Sequence, residues 1–192
     1  MVRARVAGLV AVIVVVASGT ARAQTSARRS EFALGAGVTY GNLVGGDFSG
    51  SKAALGVDAN AGIVLGRWQL GVGYDRTNHD HADTNGDYVV SNVYVETKLL
   101  FVSARAMTPY AAVRLGRAMA SYEGVLGITD KATGYMAGLG AGVWWPIAGH
   151  VQADGAVHYD RLSHDYGTGG YSDAERGGRV EVSVGLRVGL PR

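Results

Sequence analysis

Residues 179–190, RVEVSVGLRVGL, repeat every second residue rather than every third or fourth. Val180, Val182, Val184, Leu186, Val188 and Leu190 share one parity, and Arg179, Glu181, Ser183, Gly185, Arg187 and Gly189 share the other. Successive side chains of a β-strand point to opposite faces, so the stretch predicts a strand with one aliphatic and one polar face. Such a strand needs two environments, and the question is which of them is the inside.

The same alternation recurs in seven further segments: 32–40, 55–65, 68–75, 89–101, 110–116, 135–145 and 151–160. Long polar connections, at about 43–52, 77–87, 123–132 and 163–177, alternate with short ones at Gly66–Arg67, around 103–108 and at 146–150. Eight strands with long links at one end and short links at the other predict an all-β, antiparallel up-and-down barrel. Thirty glycines against three prolines suit neither helices nor a proline-rich disordered chain.

The first residues are set apart from this pattern. Arg3 and Arg5 precede the apolar run 6–17, and Ala21 and Ala23 follow at the spacing of a signal-peptidase site. The layout predicts a cleaved secretory signal over 1–23, a short periplasmic segment over 24–30 and the barrel over 31–192. Twelve apolar residues fall short of the roughly 20 that a spanning helix needs. The leader's three arginines account for the excess of 18 basic over 16 acidic residues, so no nucleic-acid partner is implied. The chain has no cysteine and hence no disulfide framework.

Two architectures with opposite faces fit the pattern. A soluble lipocalin-like binder lines its cavity with the apolar face, whereas an outer-membrane barrel turns that face to lipid. Gly71, Gly73, Gly138, Gly140, Gly142, Gly185 and Gly189 lie on the charged face. Glycine weakens a water-facing strand, but a narrow lumen crowded with long side chains needs small neighbours. The lumen is expected to hold a mutually paired polar network of Asp58, Glu96, Lys98, Arg114, Asp154, His158, Arg179, Glu181 and Arg187. On the apolar face, Tyr40, Tyr74 and Tyr159 fall near the long-loop ends and Phe32, Trp68 and Trp145 near the short turns. Two such rings form the aromatic girdle of a transmembrane barrel.

With FALGAGVTYG at 32–41, TPYAAVRLG at 108–116, GLGAGVWWP at 138–146 and the final alternating strand, the chain resembles the small OmpA/OmpX-like, porin-family barrels of Gram-negative outer membranes. The resemblance implies outer-membrane localisation, contact with outer-membrane lipid and lipopolysaccharide, and insertion by the barrel-assembly machinery. Such barrels usually finish on an aromatic residue, whereas this chain ends Gly189-Leu190-Pro191-Arg192.

The motifs with chemical potential are weak. His158, Asp160, Ser163, His164 and Asp165 crowd the rim of the seventh strand, and some barrels of this size modify lipid A with a histidine, a serine and an acid. By parity, though, His158 faces the lumen, and Ser163 is expected in the loop; a lumen histidine beside a polar loop is the simpler reading. The stretch 81–87, HADTNGD, lacks the ligand order of a calcium loop and reads as a turn. No catalytic residue, cofactor or metal is expected. The reading is a structural or surface-interacting outer-membrane barrel with four extracellular loops whose ligand the composition does not name. A narrow solute channel, a lipid A-modifying enzyme and a soluble lipocalin-like binder are the alternatives.

Overall fold

A computed structural model describes residues 31–46, 51–80, 87–101, 107–123, 129–165 and 174–191. Its strands are β1 (Glu31–Val44), β2 (Ala54–Leu65), β3 (Trp68–Asp80), β4 (Asp87–Leu100), β5 (Thr108–Glu123), β6 (Thr129–Ala148), β7 (Val151–Asp165) and β8 (Ala174–Pro191). Each strand is antiparallel to the next, and β8 returns to β1 from Glu31↔Pro191 to Val44↔Gly178, closing the barrel. The signal segment 1–23, the segment 24–30 and most of the 81–87 motif lie outside the described residues.

Two of the short links are two-residue turns that begin on a left-handed glycine. Gly66 (φ 60°) precedes Arg67, and Gly149 (φ 52°) precedes His150. A side chain at either position would strain the backbone. At the opposite end the strands run further than their alternation suggests. β1 continues to Val44 and β3 to Asp80, β6 starts at Thr129, and β8 starts at Ala174, all inside stretches expected to be loop. The reason is physical: beyond the lipid the outer face of a strand meets water, so the outward aliphatic half of the alternation fades while the backbone ladder continues.

The apolar face points outward. Val38, Val57, Val72, Val95, Leu115, Leu139 and Val184 are all exposed on the outer wall, while Glu96, Arg114, Arg179 and Glu181 are buried within. This is the reverse of a lipocalin-like calyx, and the valines of 180–188 belong to the outer wall.

Inside, bulk and glycine alternate across the ladder. Tyr94 lies between Gly73 on β3 and Gly116 on β5, its register partners on either side. His158 lies over Gly140 and Asp160 over Gly138 in the same manner. A Cβ built on Gly73 would stand 2.5 Å from the Tyr94 ring, and one on Gly140 would enter the His158 imidazole. Each large inward side chain thus takes up the space that a neighbouring glycine leaves. Overfilling a packed interior typically costs about 1–3 kcal/mol. Gly73→Val should therefore lower the urea midpoint of the detergent-folded barrel clearly, whereas Val72→Ala on the outer wall should barely change it. Equal midpoints for wild type and Gly73→Val would mean that the lumen has room to spare.

Candidate functional site

The alternation aims the charged residues at one axis, and the ladder register then decides which of them meet. Glu96 on β4 is the direct partner of Arg114 on β5, and Asp160 on β7 is that of Arg179 on β8. Arg114 Nε donates to Glu96 Oε1 at 2.7 Å, and Arg179 Nη2 donates to Asp160 Oδ2 at 2.8 Å. Lys98, two residues along β4 on the same face, reaches Glu96 Oε2 at 3.2 Å.

Other contacts cross the lumen between strands that are not neighbours. Arg179 holds Asp75 on β3 with both ends of its guanidinium, Nη1 to Oδ1 at 2.6 Å and Nη2 to Oδ2 at 3.0 Å. Arg114 Nη1 reaches Glu181 on β8 at 3.4 Å, and Lys98 Nζ reaches Asp154 on β7 at 3.3 Å. Glu181 Oε2 also lies 3.2 Å from Arg179 Nη2, so it joins the two halves. The result is one chain of charges, Asp154–Lys98–Glu96–Arg114–Glu181–Arg179, ending on Asp75 and Asp160. His158 Nε2 adds to it 3.5 Å from Glu96. Bidentate and hydrogen-bonded pairing of this kind is what makes buried charge tolerable.

Aromatic rings cap the cations. The Arg114 guanidinium sits 4.5 Å above Tyr94, Lys98 Nζ 4.5 Å above Tyr110, and the Arg187 guanidinium 4.0 Å from the Trp144 ring. Asp154 is held by the Tyr110 hydroxyl at 2.7 Å and by the Trp144 indole N–H at 3.2 Å. Arg187 completes the short-turn end, donating to Gln152 and to Glu31 at 3.2 Å.

Apolar layers bracket this charged middle. Towards the loops, Leu43, Tyr88, Val90, Ala118, Ala120, Ala132, Met136 and Leu162 pack together with Tyr94. Towards the short turns, Val64, Leu100, Tyr110, Ala112, Trp144 and Ala156 do the same. A cavity of about 20 Å3 beside Asp58, Asn60, Asp154 and Ser183 has room for roughly one water molecule.

Of the inward residues read from the sequence, Glu96, Lys98, Arg114, Asp154, His158, Arg179 and Glu181 lie in this chain, and Arg187 lies below it. Asp58 faces the same lumen and makes no ion pair within 4 Å among the described residues. Parity reasoning missed Asp75, the bidentate partner of Arg179, and the ring set Tyr94, Tyr110 and Trp144. All four occupy inward parity, and that was the signal available for them. The six girdle residues Phe32, Tyr40, Trp68, Tyr74, Trp145 and Tyr159 all lie on the outer wall, between 37% and 57% exposed.

Ser163 lies in β7 rather than in a loop, and its odd parity turns it outward while His158 and His164 turn inward. A serine and a histidine on opposite faces of one strand do not form a nucleophile–base pair. Among the described residues no group of three or more His, Asp or Glu is arranged to hold a metal.

Two histidines lie on the loop side of the girdle. His79 Nδ1 meets the Lys52 carbonyl at 2.9 Å, so Nδ1 carries the proton and Nε2 accepts from the Thr77 hydroxyl at 2.9 Å. Lys52 N–H also donates to the Asp80 carbonyl at 3.1 Å, so the chain entering β2 is fastened to the end of β3. Burial lowers the affinity of His79 for a second proton, and it pushes the fully buried His164 down to about 4.

No protein-family model and no curated protein matches the sequence. Solved structures do match. Neisserial surface protein A superposes with a TM-score of 0.68 at 19% identity, covering 84% of this chain and 99% of that one. AlkL, solved in DMPC bilayers, gives 0.59 at 13% identity, covering 91% and 97%. Ail, the attachment invasion locus protein of Yersinia pestis, gives 0.53 at 16% identity, covering 83% and 99%. The chain therefore has the fold of the small eight-stranded outer-membrane barrels.

The packed interior makes two predictions. Removing one partner of a buried pair costs about 3–5 kcal/mol because the other charge is stranded. Glu96→Ala, which strands Lys98 and Arg114 together, should lower the unfolding midpoint far more than a substitution of outward-facing Ser163. A midpoint like that of wild type would show these charges to be solvated.

The second prediction concerns acid. An unfolded histidine titrates near 6.5, well above folded His164. Between those values the unfolded chain takes up a proton that the folded one refuses, so stability should fall as pH drops from about 6.5 towards 4. His164→Asn should flatten that part of the profile. A variant whose slope matches wild type would remove His164 as a cause.

Proposed function

We propose that this chain is an outer-membrane barrel whose work is done at the cell surface, with the lumen serving as a packed core rather than as a passage or a reaction site. The observation that carries this reading is the division of faces in a closed barrel: aliphatic residues line the outer wall and a continuous charge network fills the inside. Only lipid suits such an outer wall, since a contiguous apolar girth of this size would associate in water. The apolar layers above and below the network support a lumen without bulk conduction. The separation of Ser163 from His158 supports a non-enzymatic role. Structural likeness to barrels named as a surface protein and as an attachment protein is consistent with binding through the loop-bearing end. Export through a cleaved signal over 1–23 and insertion by the assembly machinery belong to the same reading.

The absence of native cysteine allows a direct test, because each introduced thiol is the sole one. Single cysteines at Val182, Ser183, Val184, Gly185 and Leu186, carrying a small fluorophore, would be folded into bilayers that contain a lipid-tail quencher. Labels at 182, 184 and 186 should be strongly quenched; those at 183 and 185 should be shielded or should block folding. Quenching at the odd positions, or equal quenching at all five, would overturn the reading.

A further inference from the structure

The chain leading into β2 is held differently on its two sides. Ala54 and Leu55 pair with Gly41 and Tyr40 on β1, but the β2–β3 ladder reaches no further than Gly56↔Thr77, although β3 continues to Asp80. Lys52 bridges the difference. Its N–H donates to the Asp80 carbonyl at 3.1 Å, and its own carbonyl accepts from His79 Nδ1 at 2.9 Å. A side chain thus supplies the kind of donor that a ladder takes from the backbone. The His79 ring is 1% exposed, and its Nε2 is turned to the hydroxyl of fully buried Thr77. Thr77 has little freedom to rearrange, because its methyl fills the space that Gly41 and Gly56 leave; a Cβ on Gly56 would stand 2.6 Å from it.

We propose that His79 is a latch released by acid: the neutral ring fastens residues 51–53 to the end of β3, and the ring that gains a second proton leaves its place and frees them. The tautomer is the first argument. With Nδ1 donating to Lys52, Nε2 must offer its lone pair to the Thr77 hydroxyl; a second proton sets two donors face to face against a packed wall. The surroundings are the second. Among the described residues, β8 faces the ring with the Arg179 guanidinium, β4 with the neutral phenol of its register partner Tyr88, and β1 and β2 with the glycines around Thr77. Asp75, further down β3, is held by Arg179, and Asp80 and the Lys52 side chain are exposed. Burial opposes the second proton most; the Lys52 carbonyl favours it, Arg179 opposes it and Asp80 favours it, and the balance lowers the ring's affinity. Linkage is the third argument. A released ring is an ordinary histidine titrating near 6.5, so each pH unit below that value favours release about tenfold until the seated ring itself accepts a proton. The latch stands on this bonding alone; that its release alters surface binding rests on the role proposed above for the loop-bearing end.

The test follows amide hydrogen exchange by NMR in the full folded chain in detergent micelles, with the intrinsic pH dependence of exchange divided out. Protection of the Lys52 N–H should be level above about pH 7 and fall roughly tenfold per unit below about 6.5. The amide of Val72, within the β3–β4 ladder, should stay level. His79→Asn, whose Nδ2 stands where Nδ1 stood and does not titrate, should keep Lys52 at its neutral-pH protection throughout. His79→Phe, which has no donor, should lower that protection at every pH. His164→Asn should leave the Lys52 slope as it is. A level wild-type profile at Lys52, an asparagine variant that keeps the wild-type slope, or a slope that vanishes in His164→Asn overturns the proposal. So does an equal slope at Val72, which would report opening of the whole barrel. If the asparagine variant does not fold, the wild-type and His164→Asn profiles decide. These readings involve neither a bilayer nor a loop ligand, so the latch can fail while the quenching pattern holds, and the reverse.

Discussion

Closure of the barrel by β1 and β8 is the constraint from which the other features follow. In hydrocarbon a backbone N–H or carbonyl without a partner costs several kcal/mol, and an open sheet has two rows of them. The β1–β8 ladder, fourteen register pairs from Glu31↔Pro191 to Val44↔Gly178, removes both rows at once. Once closed, the ring has only an inner and an outer face, and every strand must divide its residues between them. The strict period of two in residues 179–190 is the local form of that global condition.

Eight strands also make a narrow lumen, and this explains why its polar contents are built with glycine. Tyr94 occupies space left by both Gly73 and Gly116, and His158 the space left by Gly140. Such pairs work in one register only. A one-residue slip would send every inward charge into lipid and every valine into the network. Cross-lumen bonds such as Arg179–Asp75 and Lys98–Asp154 reinforce the same register from the inside, because they join strands that share no ladder. The charges thus specify the arrangement, whereas the outer apolar band and the closed ladder stabilise it within the bilayer.

Parity carried most of the fold in the sequence, since lipid outside and charge inside are the two extremes that hydrophobic alternation can report. It lost its hold in two places. Beyond the membrane, at Asn78, Lys131 or Arg176, the outward residue is polar, so strand and loop look alike and the strand ends were read short. Inside, parity names the face and says nothing of height or of reach across the lumen. Glu96, Lys98 and Arg114 were legible as members of one network because they face inward from neighbouring strands. Asp75 was not legible as a partner of Arg179, since their meeting depends on the tilt and stagger of a closed barrel. Asp58 shows the converse: the face was right, but among the described residues no cation comes within pairing distance of it. The inward parity of Tyr110 and Trp144 likewise does not say that they lie against Lys98 and Arg187.

The two ends of the barrel are finished differently, and the difference bears on what the loops can do. At the short-turn end, Gly66 and Gly149 make two-residue returns, and Trp144, Tyr110 and Leu100 close the interior directly beneath them. At the other end the strands rise past the girdle around their own apolar layer of Leu43, Val90, Met136 and Leu162. That layer gives the loop bases a dry, packed support that does not depend on lipid. The His79–Lys52 contact, with Lys52 N–H on the Asp80 carbonyl, ties the return into β2 to the neighbouring wall. Loops set on such a rim can vary in sequence and length without disturbing the charge network, because an apolar layer separates the two. On the proposed function, recognition at the loops and stability in the membrane would rest on different residues.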